Sequence, residues 1–486
     1  MTVAISNEVE LKLELTPDVA DALEAASVFA GEPKIVIQRA VYFDTPDHDL
    51  AGAGLSLRIR RNGDRRVQTV KVDGGAASAG MFVRSEWERD VEDDAPIVDD
   101  ATPIPALLGE KAAAIKPLFT VENERRLWIA DDVEIALDRG RAVAGERETP
   151  IHEIELELKG GDPAALFALA RRIDAAAPVH LGVLSKAERG YRLLGPAPGV
   201  AKASPVKLTE TMTAASAFQA IVQSCLRHHR LNVPLILDHQ DAAGLHQARV
   251  ALRRLRSALA IHKPMLGDGR AATLNDELRW LAGELGKARD IDVLLDRAED
   301  GALRDRLLAA RVDAYGTAIA ALQSARARAL MIDIVEWVAA GDWLSNRDGA
   351  DLRALPAREF AANALDRFRR KVKKSGHDLE ELDDEARHEV RKAAKKLRYA
   401  AEFFGALYGR KRERRRHKRF VAALEDLQDE LGALNDLAHA PEVLQSLDLA
   451  DDPAAQALLG PDDRTDLLEA AAEAHDALVD AKRFWR

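Results

Sequence analysis

Charged and apolar side chains alternate with a period of two in several segments of residues 1–160. This period is typical of a β-strand with one polar and one apolar face, and it excludes an amphipathic helix. The segments predicted to be strands are Asn7–Leu15, Val36–Phe43, Leu55–Arg61, Arg66–Val72, Val83–Val91, Arg126–Ala130, Val133–Asp138 and Ile151–Leu158. Because eight strands can close on themselves, the first part of the chain is predicted to form a barrel.

Helices are predicted in two places between these strands. One begins at Thr16 and Pro17, which form an N-cap and first-turn pair, and the other covers about Pro163–Ala176. After a proline- and glycine-rich stretch the pattern becomes almost purely helical from Thr213, with breaks expected at Gly267–Gly269, Gly341, Gly349 and Pro441. The predicted fold class is therefore α+β: an N-terminal eight-stranded antiparallel barrel with flanking helices, followed by an all-α domain.

The direction of the charged strand faces decides what the barrel contains. If they face outward, the charges only keep the surface solvated, and the interior is apolar. If they face inward, they line a tunnel whose crowded carboxylates need a cation, because buried like charges raise one another's pKa. Mg²⁺ prefers oxygen ligands, and arginine and lysine bind phosphate oxygens. Repetition on several strands favours the inward arrangement and a phosphate ligand.

The motifs of this half, in their order along the chain, resemble the CYTH superfamily, the triphosphate tunnel metalloenzymes, over about residues 5–195. They are Glu8-Val9-Glu10-Leu11-Lys12, Tyr42-Phe43-Asp44-Thr45-Pro46, Leu57-Arg58-Ile59-Arg60, Thr69-Val70-Lys71, Arg84-Ser85-Glu86-Trp87-Glu88, Glu134–Asp138, Glu153–Glu157 and Leu184–Tyr191. The resemblance implies an antiparallel tunnel that binds a triphosphate group and requires Mg²⁺ or Mn²⁺.

The resemblance also implies roles for individual residues. Catalytic roles fall to Glu8, Glu10, Lys12, Lys71 and Glu88. Phosphate binding falls to Lys12, Arg58, Arg60, Lys71, Arg84, Arg125 and Lys186. Metal binding falls to Glu8, Glu10, Asp138, Glu153, Glu155 and Glu157. The family motif needs only two of Glu153, Glu155 and Glu157. Glu155 and Glu157 are favoured, with Glu153 nearer the tunnel mouth, but the sequence does not settle which two bind the metal.

An internal repeat marks the helical half. The segment from His246 to Arg256 recurs from His388 to Arg398, 142 residues later. Each copy is followed by one member of a second pair of similar segments. Such offsets indicate duplication of a helical unit. On a helix each copy forms a stripe of cations, an arrangement that concentrates positive potential and favours a polyanion.

This half resembles the CHAD family, helical domains named for their histidines, over about residues 210–486. The resemblance implies polyphosphate binding without catalysis. The residues that would bind the chain are His246, Arg249, Arg253, Arg254, Arg256, Arg289, His388, Arg391, Lys395, Lys396, Arg398 and Tyr399.

Composition excludes several other classes. The single cysteine, Cys225, cannot form an intramolecular disulfide, no apolar run of about 18 residues is present, and the N-terminus lacks the pattern of a signal peptide. We therefore expect a cytoplasmic protein with no membrane function. The net charge of −11 and an aromatic content of 5% argue against a nucleic-acid partner.

The sequence predicts metal-dependent hydrolysis of inorganic triphosphate by residues 1–197, a linker at 198–208, and polyphosphate binding by residues 209–486, with repeats at about 213–345 and 355–486. Triphosphate, long-chain polyphosphate and polyphosphate granules are the expected partners. Two alternatives stay open. One is a thiamine triphosphatase or a nucleotide-acting CYTH enzyme, and the other is a non-catalytic protein that binds polyphosphate granules.

Overall fold

The computed structural model describes residues 4–26, 28–72, 80–299, 301–458 and 464–486, with the backbone alone for residues 4–7, 84, 439 and 440. The chain divides into two compact units. The tunnel unit contains the chain up to Ala201 together with Ser324–Ala340, and the helical unit contains Lys202–Gln323 and Gly341–Arg486. The chain therefore enters the tunnel unit twice.

The strands of the tunnel unit are β1 (Ala4–Glu14), β2 (Lys34–Asp44), β3 (Leu55–Asn62), β4 (Arg65–Val72), β5 (Met81–Asp90), β6 (Lys116–Ala130), β7 (Val133–Ala144), β8 (Arg147–Leu158) and β9 (His180–Leu181). All the pairings of β1 to β8 are antiparallel, in the order β5-β4-β3-β2-β6-β7-β8-β1, and β1 also pairs with β5. This pairing closes the ring, which confirms the predicted eight-stranded barrel. β9 is an additional two-residue strand on β1.

β6, β7 and β8 extend furthest beyond the bounds that the alternation predicted. β6 begins at Lys116 rather than Arg126, β7 extends to Ala144, and β8 begins at Arg147. The extension follows from packing, because Phe119, Val121, Ala142 and Ile151 form a buried apolar cluster across these strands. Phe119 and Val121 lie two residues apart on one face of β6, so the period of two continues here although the predicted strand began later.

The helices are α1 (Pro17–Ala25), α2 (Asp49–Gly52), α3 (Ile104–Leu108), α4 (Ala164–Ala176), α5 (Lys186–Leu194), α6 (Ala214–His239), α7 (Ala242–His262), α8 (Arg270–Arg297), α9 (Ala302–Gln323), α10 (Ala325–Ala340), α11 (Ala350–Ala354), α12 (Ala357–Ser375), α13 (Asp384–Phe404), α14 (Lys411–Ser446), α15 (Pro453–Ala457) and α16 (Arg464–Asp480). No described helix is both long and apolar enough to span a bilayer.

α10 lies in the tunnel unit although its sequence neighbours belong to the helical unit. It packs against α4, which itself packs on β1. Arg171 of α4 binds Asp333 at 2.7 Å and also Glu336 of α10. The outer face of β1 beneath α4 is apolar, with Leu11 and Leu13 fully buried.

The helical unit brings the two histidine-bearing segments together. α7 carries the first copy and α13 the second, and these two helices pack against each other. Glycines at 269 and 349 have positive φ at the predicted breaks. The break predicted at Pro441 is wrong, because α14 runs through this proline to Ser446, and Leu444 is buried in an apolar cluster. Packing of the last turn outweighs one lost backbone hydrogen bond.

Candidate active site and anion-binding surface

The charged faces of the barrel strands point inward. They surround a cavity of about 440 Å³, and its charged lining residues are Glu8, Glu10, Lys12, Arg58, Arg60, Lys71, Glu86, Glu88, Arg125, Glu134, Glu155, Glu157, Lys159 and Lys186. The opposite face of β1 is apolar and buried. The barrel therefore has a wet, charged interior rather than an apolar centre.

An inner cluster of three carboxylates and three cations lies at one side of this cavity. The Lys12 ammonium lies 2.9 Å from Glu153 and 2.7 Å from Glu155. The Lys186 ammonium lies 2.7 Å from Asp138 and 2.8 Å from Glu155, and it also contacts Glu153. Arg125 binds both Asp138 and Glu155. Three negative and three positive groups are thus paired within hydrogen-bonding distance.

The pKa shifts of the inner cluster show that its charges support each other. Burial disfavours the ionised form of Glu155, but Lys12, Lys186 and Arg125 outweigh burial and hold its pKa well below the usual range. Burial would likewise lower the pKa of Lys12, yet Glu153 and Glu155 raise it. All of these groups are therefore ionised at neutral pH. Oxygens of Asp138, Glu153 and Glu155 lie within 4.8 Å of one another, a spacing that one metal ion could bridge.

An outer acidic group has more carboxylates than cations. Glu10 and Glu134 are each the cross-strand neighbour of Glu157. The lysines near this group are Lys159, 2.6 Å from Glu157, and Lys71, which is shared between Glu8 at 2.6 Å and Glu86 at 3.2 Å. Burial raises the pKa of Glu157, and repulsion from Glu8 and Glu134 adds to the rise. This group therefore has an unbalanced negative charge that a cation would relieve.

The opposite imbalance occurs on β3. Repulsion from Arg58, together with burial, lowers the pKa of Arg60 to about 10. Glu88 lies 3.6 Å from Arg60 and accepts a hydrogen bond from Thr69 at 2.9 Å. The Nε atoms of Arg58 and Arg60 are buried without a hydrogen-bond partner. An anion bound here would reduce the repulsion and supply acceptors for these donors.

Local backbone structure positions Lys186 and leaves space for Lys12. α5 begins at Lys186 because Ser185 forms a capping box with Glu188: the Ser185 Oγ accepts from the Glu188 amide at 3.1 Å, and the Glu188 carboxylate accepts from the Ser185 amide at 2.9 Å. A Cβ on Gly182 would lie 2.5 Å from Lys12 Cγ. The absence of a side chain at Gly182 therefore leaves room for Lys12.

The predicted tunnel residues whose side chains are described all line the cavity or lie in the inner cluster beside it. Arg84 pairs with Glu8 through the backbone register, but its side chain lies outside the described residues. The expected place of Glu153 near the mouth is wrong. Its side chain is 0% exposed, whereas those of Glu155, Glu157 and Lys159 are 15%, 26% and 45% exposed along the same strand.

Sequence reasoning gave no role to several polar residues of the cavity, although Tyr42 and Glu86 belong to the listed motifs. Tyr42 accepts a hydrogen bond from Arg58 at 3.5 Å, Asn123 donates to Asp138 at 2.8 Å, and Glu86 pairs with Lys71. Asn123 lies two residues before Arg125 on the same strand face, but its strand was not predicted to extend that far. The period of two would have found it once β6 was assigned its full length.

In the helical unit, the cations of α7 and α13 meet in two neighbouring cavities. The first, of about 930 Å³, is lined by the predicted residues His246, Arg253, Arg254, Arg391, Lys395, Arg398 and Tyr399. The second, of about 680 Å³, is lined by Arg253, Arg256, Lys395, Lys396 and Tyr399, and also by Lys263, Arg279 and Lys392, which the sequence had not singled out. Arg253, Lys395 and Tyr399 belong to both.

Three predicted residues lie apart from these cavities or serve other contacts. Arg249 donates to the Gly286 carbonyl at 3.1 Å and faces Asp290 at 3.6 Å. Arg289 lines neither cavity, although it contributes to the potential at His246. His388 lines a separate cavity of about 340 Å³, where it contacts Asn435 at 2.8 Å.

Arg254 is also distinct, since its charge is already compensated. It is 5% exposed, binds Glu402, and lies over the ring of Phe403 at 4.8 Å. Arg398 shares the same carboxylate at 2.8 Å. Glu402 thus neutralises part of the positive charge of both stripes.

The remaining cations repel one another. Burial lowers the pKa of Lys395 to about 7, with further lowering by Arg391 and Arg253. Burial and then Arg289, Arg253 and Arg249 lower the pKa of His246 to about 4. Burial and the neighbouring cations between α7 and α13 therefore both disfavour the protonated forms of Lys395 and His246.

In comparisons with known proteins, the two halves of the chain match two different family models. A family model described as CYTH domain matches residues 6–191, and one described as CHAD domain matches residues 220–445. An inorganic triphosphatase of Haemophilus influenzae is 30% identical over 207 residues, which are 38% of this chain and 54% of that protein. An uncharacterized protein of Mycobacterium tuberculosis is 29% identical over 422 residues, or 76% of each chain. The chain thus spans about half the length of the triphosphatase that it matches.

Solved structures resemble single parts of the chain. A CHAD domain from the plant Ricinus communis is 31% identical with a TM-score of 0.49, covering 60% of this chain and 98% of that one. A putative adenylyl cyclase from Hippeastrum, described as having a dominant triphosphatase activity, is 22% identical with a TM-score of 0.31, covering 38% of this chain and 95% of that one.

Proposed function

We propose, for a chain that joins a CYTH domain to a CHAD domain, that the tunnel unit hydrolyses inorganic triphosphate with a divalent cation. The observation that carries this proposal is the separation of charge inside the barrel. Arginines in excess lie on β3, and carboxylates in excess lie on β1, β7 and β8. A chain of phosphates with a bound cation complements both sides: its phosphates carry negative charge toward the arginines, and its cation carries positive charge toward the carboxylates. The identity of 30% to an inorganic triphosphatase supports the same substrate.

The outer acidic group fits a divalent cation. Glu8, Glu10 and Glu157 offer oxygen ligands, which Mg²⁺ and Mn²⁺ prefer, and the pKa of Glu157 is raised by burial and by repulsion from Glu8 and Glu134. A divalent cation held by these residues would neutralise oxygens of the substrate and favour attack by water on phosphorus.

The cationic side chains orient the substrate. Arg58 and Arg60 have unused Nε donors for phosphate oxygens, and Lys71 lies between them and the outer acidic group. Lys12 and Arg125 are held by the inner cluster, so both reach the cavity with their positions fixed by ion pairs. Such fixed cations stabilise charge on a phosphoryl group under attack without reorganising.

The test is release of phosphate from triphosphate by the purified chain, with and without Mg²⁺ or Mn²⁺. Glu10→Gln should lower the rate at least about 100-fold, because it removes a charge from the acidic group. Glu122→Gln is the matched control, since Glu122 lies on β6 outside the cavity and is 41% exposed. Full activity of Glu10→Gln would refute the proposal.

The same assay separates the alternative substrates. Faster hydrolysis of thiamine triphosphate or ATP than of triphosphate would indicate an organic substrate. Absence of phosphate release from every substrate, with either metal, would favour a non-catalytic binding protein.

For the helical unit we propose binding of long-chain polyphosphate, and through it association with polyphosphate granules. The support is the set of mutually repelling cations in two adjoining cavities, a repulsion that an extended polyanion would relieve. Arg391→Glu should weaken binding of long-chain polyphosphate in calorimetry, while the exposed control Arg347→Glu should not. Triphosphate hydrolysis should be unchanged in both; its loss together with binding would contradict a separate role for each unit.

A further inference from the structure

The most tightly grouped carboxylates of the tunnel are those of Asp138, Glu153 and Glu155. Their oxygens lie within 4.8 Å of one another, and the side chains of Asp138 and Glu153 are 0% exposed. Judged by spacing alone, a divalent cation would be placed here. The group cannot stay ionised in a buried position without positive charge among its oxygens.

That positive charge is already supplied by the chain. The Lys186 ammonium contacts all three carboxylates, at 2.7 Å from Asp138, 2.8 Å from Glu155 and still closer to Glu153. An ammonium has three N–H donors, and here it has three carboxylate partners. Lys12 contacts the same oxygens of Glu153 and Glu155 as Lys186 does, and Arg125 binds Asp138 and the other oxygen of Glu155.

The backbone fixes Lys186 in this position. It is the first residue of α5, which the Ser185 capping box starts at that point. A cation at a helix N-terminus is disfavoured by the helix dipole, so the carboxylates must provide the stabilisation that keeps it there. Lys186 is only 8% exposed on its side chain, so most of its surroundings are protein groups and the three carboxylates are its charged partners.

We propose that the Lys186 ammonium takes the place of a metal ion among Asp138, Glu153 and Glu155, so that this inner cluster binds no divalent cation. Metal binding in the tunnel is then confined to the outer carboxylates Glu8, Glu10 and Glu157, a point that rests on the proposed function. A divalent ion added to the inner cluster would enter a site where three cations already neutralise three carboxylates. In the outer group, by contrast, Glu8, Glu10, Glu134 and Glu157 lie beside only two lysines among the described residues. The tunnel without substrate therefore has a single metal position.

The test counts Mn²⁺ bound per full-length chain without substrate, by electron paramagnetic resonance of the unbound ion and by calorimetry. Lys186→Met keeps an unbranched side chain, one atom shorter, but removes the charge, and should add one Mn²⁺ per chain relative to wild type. Lys186→Arg keeps the charge and should leave the number unchanged. Adding Glu153→Gln to Lys186→Met should remove the extra ion.

Two single variants decide the matter even if Lys186→Met does not fold. Glu157→Gln should weaken Mn²⁺ binding at least about tenfold, and Glu153→Gln should leave it unchanged. Loss of the Mn²⁺ site in Glu153→Gln, or an unchanged count in folded Lys186→Met, would overturn the inference. Because these measurements use no substrate, an inactive protein that binds Mn²⁺ as expected would refute the hydrolysis but not the role of Lys186.

Discussion

Lys395 should make polyphosphate binding depend on pH in the neutral range. Its ammonium lies between Arg391 on its own helix and Arg253 and Arg249 on α7, with Asp436 of α14 as the opposing charge. Burial and the arginines lower its pKa to about 7 in the unliganded protein. A bound polyanion would supply the missing negative charge and return the pKa toward its ordinary value of 10.5.

The size of the effect follows from linkage. With a pKa of about 7, Lys395 is about 90% protonated at pH 6 and about 10% protonated at pH 8, while in the complex it is protonated at both. Binding at pH 8 therefore includes uptake of about one proton, and the affinity should be about tenfold lower than at pH 6, or about 1.4 kcal/mol. The direction of the change in affinity with pH follows from this: when the pKa of a group rises on binding, the affinity falls as the pH increases.

Calorimetry with a long-chain polyphosphate at several pH values measures this directly, and long chains keep the contribution of terminal phosphates small. Buffers with different ionisation enthalpies should report proton uptake at pH 8. Lys395→Arg retains the charge throughout this range and should remove most of the pH dependence. Equal affinities at pH 6 and pH 8 in the wild type, or the same tenfold change in Lys395→Arg, would refute the reasoning.

Three further predictions concern packing and buried charge. Arg171→Ala removes the ion pairs between α4 and α10; since Arg171 is 39% exposed, the free energy of unfolding should fall by only about 1 kcal/mol in urea denaturation. Gly182→Ala should displace Lys12 and slow triphosphate hydrolysis, whereas the control Gly160→Ala, with 3.5 Å to its nearest neighbour, should be tolerated. Burial lowers the pKa of His262 to about 4, so the unfolded chain takes up a proton first as the pH falls below 6.5. The unfolding free energy should then decrease by up to about 3 kcal/mol between pH 6.5 and 4, and His262→Phe should flatten this part of the profile.

The tunnel was largely predictable because strand alternation is a local property. A period of two assigned Glu8, Glu10 and Lys12 to one face without any knowledge of their neighbours, and the number of strands predicted closure. The combined presence of a CYTH and a CHAD domain, predicted from motifs, is confirmed by the family matches. The predicted bounds were wrong for β6, whose first half also alternates but was not included in the predicted strand.

The helical unit was less predictable, because the partners of its cations come from distant helices. The stripes on α7 and α13 follow from helical spacing, but the pairing of Arg254 with Glu402 joins residues 148 positions apart. Placement of His388 beside Asn435 depends in the same way on the packing of α13 against α14. No local pattern reports such contacts.

The sequence by itself determined which side chains share a strand or helix face, since that depends only on the geometry of the backbone repeat. The tertiary structure decided how those charges pair: balanced around Lys186, negative around Glu157, and positive around Arg60 and Lys395. Pairing depends on distances of a few ångströms between separate strands and helices, and electrostatic energy changes steeply over such distances. Only the folded chain sets them.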